Sequence, residues 1–191
     1  MFWMTLAAPA LAVGFSAETA LISSFGPDAY GTLHLQLAAG PELECGALVI
    51  GGTQPGVLAT GARTLHLGER LALRGEVRLG MLREQGPSGG FRLSGDLDLD
   101  RLHAVAGVDW IARMGVRLEG GVDAPLRDGL VVQPRLQLET WAGQRDPALR
   151  VALGFSLATG DRGWVRIAAS VGGRDVHHMG PGMTLAVGRT P

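Results

Sequence analysis

His177, His178, Met179 and Met183 gather the chain's soft and borderline metal-ligand atoms into one short stretch. Imidazole and thioether together suit copper, so these four side chains are the candidate copper ligands. Neighbouring residues of an extended strand point to opposite faces, so His177 and His178 converge only if the backbone turns between them. Gly180-Pro181-Gly182 offers a turn slightly later in the chain. The expectation is one histidine turned inward, the other solvated, and weak metal binding at most. A second group is Asp96, Asp98 and Asp100, spaced by two, with His103 close by. Three carboxylates on one face could hold a hard cation such as calcium. In a barrel they would instead pair with arginines on neighbouring strands, and that is the expectation here.

These groups are carried by a repeating unit, a run of strict alternation followed by a turn. It is clearest from Met114 to Ala142. Met114, Val116, Leu118, Gly120, Val122 and Ala124 share one face; Arg117, Glu119, Gly121 and Asp123 share the other. Pro125-Leu126-Arg127-Asp128-Gly129 is a turn, its Asp-Gly pair supplying the positive-φ residue that a tight hairpin wants. Val132, Pro134, Leu136, Leu138, Thr140 and Ala142 then alternate with Gln133, Arg135, Gln137 and Glu139. Arg70 to Leu82 repeats the pattern, with Leu71, Leu73, Val77, Leu79 and Met81 opposite Arg74, Glu76 and Arg78. Such alternation means one face in an apolar medium and one face wet or ion-paired.

The spacing predicts an all-β, antiparallel, up-and-down barrel of about 10–12 strands, spanning a membrane. In that fold Arg74, Glu76, Arg78, Asp96, Asp98, Arg117, Glu119, Arg135 and Glu139 are lumen charges. Leu73, Val77, Leu118, Leu136 and Leu138 face lipid. The alternative is a soluble periplasmic all-β domain that binds a ligand or partner, with the same alternation turned inside out. Opposite charges spaced by two favour the membrane barrel, because they can pair as ladders inside a lumen. The aromatic content of 5%, with a single tyrosine, is low for the girdles that membrane barrels carry. Locally, the Gly-rich segment from Gly56 to Leu67 reads as a strand with one phase slip, hence a bulge. Arg83 to Gly90 reads as the most loop-like segment.

Composition narrows the partners. A chain of 191 residues is one domain with ample core. Its formal net charge of −1 gives no basic footprint, so nucleic acid is not an expected partner; membrane lipid is. There is no Lys and no Asn. Cys45, the single cysteine, reads as a buried core thiol. Met1 to Ala12 is an apolar run ending in Ala10-Leu11-Ala12, the pattern of a signal-peptide remnant, which leaves residues 13–191 as the barrel domain. No run is long and apolar enough for a membrane helix.

As a whole the chain resembles a bacterial outer-membrane β-barrel. One hairpin, Asp123 through Pro147, resembles a hairpin of the copper-resistance protein B family. Leu130-Val131-Val132-Gln133-Pro134-Arg135-Leu136-Gln137-Leu138-Glu139 forms its centre, and Gln144-Arg145-Asp146-Pro147 follows. That resemblance implies the outer membrane of a Gram-negative bacterium and a link to copper handling.

Enzymes built on such barrels need particular side chains. An Asn-His-Ser phospholipase is excluded because the chain has no Asn. A His-x-Ser deacylase is disfavoured because no histidine is followed two residues later by serine. Asp175 and His177 could form an acid–base pair, yet no nucleophile lies near them in sequence. The sequence therefore predicts a non-enzymatic, porin-like barrel with a charged lumen and a structural or narrow-conduit role.

Overall fold

The computed structural model of the chain describes residues 12–22, 28–38, 42–51, 55–127, 129–141, 147–159, 163–173 and 179–189. For 12–22, 28–32, 141 and 179 it describes the backbone alone. His177, His178 and residues 1–11 lie outside the described residues.

Twelve strands run in chain order: β1 (Ala12–Ile22), β2 (Asp28–Ala38), β3 (Leu43–Gly51), β4 (Gly56–Leu67), β5 (Leu71–Leu82), β6 (Gly86–Asp98), β7 (His103–Ile111), β8 (Gly115–Arg127), β9 (Leu130–Trp141), β10 (Ala148–Thr159), β11 (Gly163–Gly173) and β12 (Met179–Arg189). Each pairs antiparallel with the next, and β12 pairs with β1 to close the barrel. Closure leaves no unpaired edge, which a strand in lipid requires. Because the strand number is even, β1 begins on the side where β12 ends. We call this the terminal side, and the opposite one the far side.

Side-chain direction decides between membrane and soluble barrels. Val77 is 63% exposed on the outer wall and Leu136 52%, whereas Glu76 and Glu139 are only 4% and 2% exposed inside. Leu73, Leu118 and Leu138 also lie on the outside. A soluble barrel would bury the leucines and solvate the charges. This chain does the reverse, so its outer wall is built for lipid and the fold is a transmembrane barrel.

Several local expectations are corrected. The loop expected over Arg83 to Gly90 is only three residues long, since β6 begins at Gly86. Gly86 turns the chain at φ 75°, and a Cβ at Gly90 would collide with the Trp110 carbonyl and the Ile111 Cα. These glycines serve a tight turn and a close strand approach, which composition alone reads as a loop. The bulge expected in β4 is absent, because β4 keeps continuous register with β3 and β5. Its apparent slip arises because Leu58 and Ala62 point inward while Arg63 points outward at the rim. The irregularity lies instead in β8, between Pro125 and Arg127. Cys45 is exposed on the outer wall rather than buried; the apolar medium around it is lipid, not protein. Met114 does not continue the outer face of β8. Arg113 at φ 65° and Gly115 at φ 143° break the alternation, and Met114 packs against the apolar cluster inside the barrel.

Candidate functional site: the charged lumen

Two ion-pair networks line the lumen and adjoin at the β7–β8 seam, where Asp109 and Arg117 are cross-strand partners. The first is centred on β5, where residues two apart share a face. Arg78 donates from Nε to Glu76 Oε1 at 2.6 Å and from Nη1 to Asp109 Oδ1 at 2.7 Å. Arg74 donates from Nη1 to Glu44 Oε2 at 2.7 Å and from Nη2 to Glu76 Oε2 at 3.4 Å. Gln36 donates to the same Glu44 oxygen at 3.2 Å, and His34 Nε2 lies 3.2 Å from Thr60 Oγ1 and 3.9 Å from Glu76. Charges so poorly hydrated persist only when their neighbours satisfy them, and here strands β2, β3, β4, β5 and β7 each supply part of the set.

The second network lies on β8 to β11. Arg117 and Glu139 are direct cross-strand partners, with Nε donating to Oε1 at 2.7 Å. Glu119 accepts from Gln137 Nε2 at 2.9 Å and has Arg135 Nε at 3.3 Å. Arg135 also pairs with Asp123, which accepts from Gln133 Nε2 at 3.2 Å. Arg150 donates to Ser170 Oγ at 3.1 Å.

Between the networks is a cavity of about 450 Å³, bordered by Arg74, Arg92, Asp96, Asp109, Arg117, Glu119, Asp123, Arg135 and Arg166 among others. A smaller space of about 150 Å³ adjoins it. Arg92, Arg117, Arg135, Arg150 and Arg166 line that space, with Glu119 as the one acidic lining residue among the described residues. Arg92 borders both spaces and is exposed to them, with no hydrogen-bond or ion-pair partner among the described residues.

Of the expected lumen charges, the structure brings Arg74, Glu76 and Arg78 into the first network and Arg117, Glu119, Arg135 and Glu139 into the second. Asp96 borders the larger cavity, with His103 Nδ1 at 3.6 Å. The Asp98 carboxylate accepts the backbone N–H of Asp100 at 2.8 Å, and Asp100 pairs with Arg70 at 3.0 Å on the rim. The three aspartates therefore take separate partners. Among the described residues no three His, Cys, Asp or Glu side chains are grouped to hold a metal ion. Met183 is exposed on the outer wall, while of Met179 only the backbone, in β12, is described.

Among the described residues Glu44, Arg92, Asp109, Asp123, Arg150 and Arg166 also line the lumen and were absent from the expected set. That set favoured opposite charges spaced by two along a single strand. Arg92, Arg150 and Arg166 lack such a neighbour of opposite charge on their own strand. Only the register of adjacent strands gives them company, as in the Arg92–Asp109 and Ser156–Arg166 pairs.

A closed antiparallel barrel with an apolar outer wall and a charged lumen defines the class: the fold is that of the porin-type outer-membrane barrels. No protein-family model matches the sequence, and no curated protein matches it. Solved structures do match. A KdgM porin superposes with a TM-score of 0.69 at 10% identity, covering 93% of this chain and 99% of that one. A KdgM porin in complex with disordered oligogalacturonate gives 0.68 at 11% identity, with the same coverage. A NanC porin gives 0.67 at 12%, covering 94% of this chain and 100% of the other. At such identities the likeness is one of fold.

Proposed function

We propose that the protein sits in the outer membrane as a narrow, non-enzymatic conduit that prefers small anions. One observation carries the preference: among the described residues, five arginines and a single glutamate line the smaller luminal space. Low-dielectric walls focus the field of fixed charges on a pore, so an arginine surplus along the lumen raises local anion concentration. Of the carboxylates that offset these arginines, Glu119 and Asp123 keep 29% and 23% of their side chains exposed, while Glu139 does not. Glu139, under Arg117, is almost fully buried, whereas Arg92 is open to the cavity. One of the matching porins was solved with oligogalacturonate, a chain of sugar carboxylates, and that ligand is consistent with this reading.

The test is a reversal potential across planar bilayers in a KCl gradient, read on channel openings. Chloride should be the more permeant ion, and Arg92→Glu should move the potential toward that of potassium. A wild-type preference for potassium overturns the proposal. The copper link implied by the hairpin resemblance is not part of it, because Met183 points away from the lumen.

A further inference from the structure

The lumen is not filled evenly from end to end. The larger cavity takes its β5 lining from Ala72 and Arg74, toward the terminal side. Toward the far side of the same strand lie Glu76, Arg78 and Leu82, all buried. On the opposite wall Glu139, Ala148, Arg150 and Gly172 are buried at the far-side ends of β9 to β11, while β12 buries Gly180 at its far end and the small Ala186 and Gly188 at its terminal end. On the β3–β5 wall the filling is apolar. Leu48, Ile50, Leu58 and Leu82 form one cluster with Ile111 and Met114 packed against it, and Leu58 and Leu82 are 0% and 1% exposed.

This layer is made by residues of the barrel wall itself. Inward glycines on adjacent strands let the side chains lie close. A Cβ at Gly80 would stand 2.7 Å from Leu58 Cα, and one at Gly56 would stand 2.5 Å from Leu82 Cδ2. Directly below it toward the cavity, the buried Arg78 is held by Glu76 and Asp109. A dry apolar layer is a barrier to ions because water must wet it before charge can cross.

We propose that the Leu48–Ile50–Leu58–Leu82 layer is a hydrophobic gate. The cavity opens toward the terminal side, and the layer closes the lumen toward the far side until it is displaced. The inference rests on the conduit reading above and adds where passage is limited. Its anatomy fits a gate with a latch. The apolar side chains hold no hydrogen bonds and part without leaving unsatisfied groups, whereas Arg78 stays held by Glu76 and by Asp109 two strands away.

The experiment compares mean conductance of the full chain in planar bilayers, wild type against Leu58→Ser/Leu82→Ser. Heat-modifiable mobility confirms that each barrel is folded. Met114→Ser is the second variant, since it lies at a turn and polarises the layer with less change to the wall. Polar side chains should wet the layer and raise mean conductance about tenfold or more, with little change after the outward control Leu136→Ser. Equal, sustained conductance in wild type and both variants overturns the gate while leaving the conduit intact. Folded variants that stay silent also overturn it, because something other than this layer then shuts the lumen. Variants that open without chloride preference uphold the gate and remove the anion reading instead.

Discussion

Arg135 Nη1 donates to the main-chain oxygen of Val122 at 2.8 Å. The β8–β9 register, running from Gly121–Arg135 to Ala124–Val132, places Pro134 opposite Val122, and the ladder is interrupted there. Proline has no N–H to give. The guanidinium of the next residue supplies the missing donor and then reaches Asp123 and Glu119. One arginine thus both closes a weak place in the wall and joins the luminal network.

This division of labour gives a double-mutant prediction. Arg135→Met should cost about 1–3 kcal/mol, the penalty for a buried acceptor left unsatisfied, with a further loss from its two carboxylates. Pro134→Ala restores an N–H and should recover part of that cost in the Arg135→Met background. In the wild-type background it should change stability little. Urea unfolding of all four proteins in lipid vesicles gives the coupling. Strictly additive effects would show that Arg135 does not stand in for the ladder.

The outer wall makes a second prediction. Leu136 lies half-exposed near the middle of β9 and faces lipid. Leu136→Arg should therefore cost about 2–4 kcal/mol, as a charge does at the bilayer midplane. A near-neutral result in the same unfolding assay would mean that this face is not in the hydrocarbon.

Burial separates the ion pairs into two kinds. Glu76 is buried and touched by both Arg74 and Arg78, so Glu76→Gln leaves poorly hydrated arginines short of a counter-charge. Breaking such a pair should cost on the order of 3 kcal/mol, softened here because Asp109 still holds Arg78. Asp100→Asn on the rim removes a pair whose two side chains are largely solvated, Arg70 and Asp100. Its effect should stay below about 1 kcal/mol. Unfolding midpoints that rank the two variants the other way would contradict the buried placement of Glu76.

Much of the fold is legible in the sequence because a membrane barrel writes its two media into residue parity. Val77 and Glu76 alternate in the text, and they alternate between lipid and lumen in space. Parity along one strand says nothing about the neighbouring strand, so the Arg78–Asp109 and Arg74–Glu44 pairs depend on register and were hidden. The apolar layer was hidden for a related reason. Leu58 and Leu82 are leucines on the luminal face, and alternation equates apolar with outward. Turn glycines misled in the other direction, since Gly89 and Gly90 read as loop but sit in β6 where strands approach closely. The sparse aromatics are only partly redeemed by Phe91 and Trp110, whose rings meet at a 39° tilt with centroids 5.5 Å apart on the outer wall.

The last prediction uses the one thiol. Cys45 lies on the outer face of β3, with Leu37 and Gly61 as its cross-strand partners, and it is exposed. It carries no ligand role and no disulfide, so it is a natural reporter of the medium outside the barrel. In lipid vesicles an apolar maleimide that partitions into the bilayer should label Cys45, while a charged, membrane-impermeant maleimide should not. In urea both reagents should react, since unfolding takes the residue out of lipid and into water. Rapid labelling of the folded, vesicle-bound protein by the charged reagent would place Cys45 in water. That outcome would require the outer wall at β3 to lie outside the membrane.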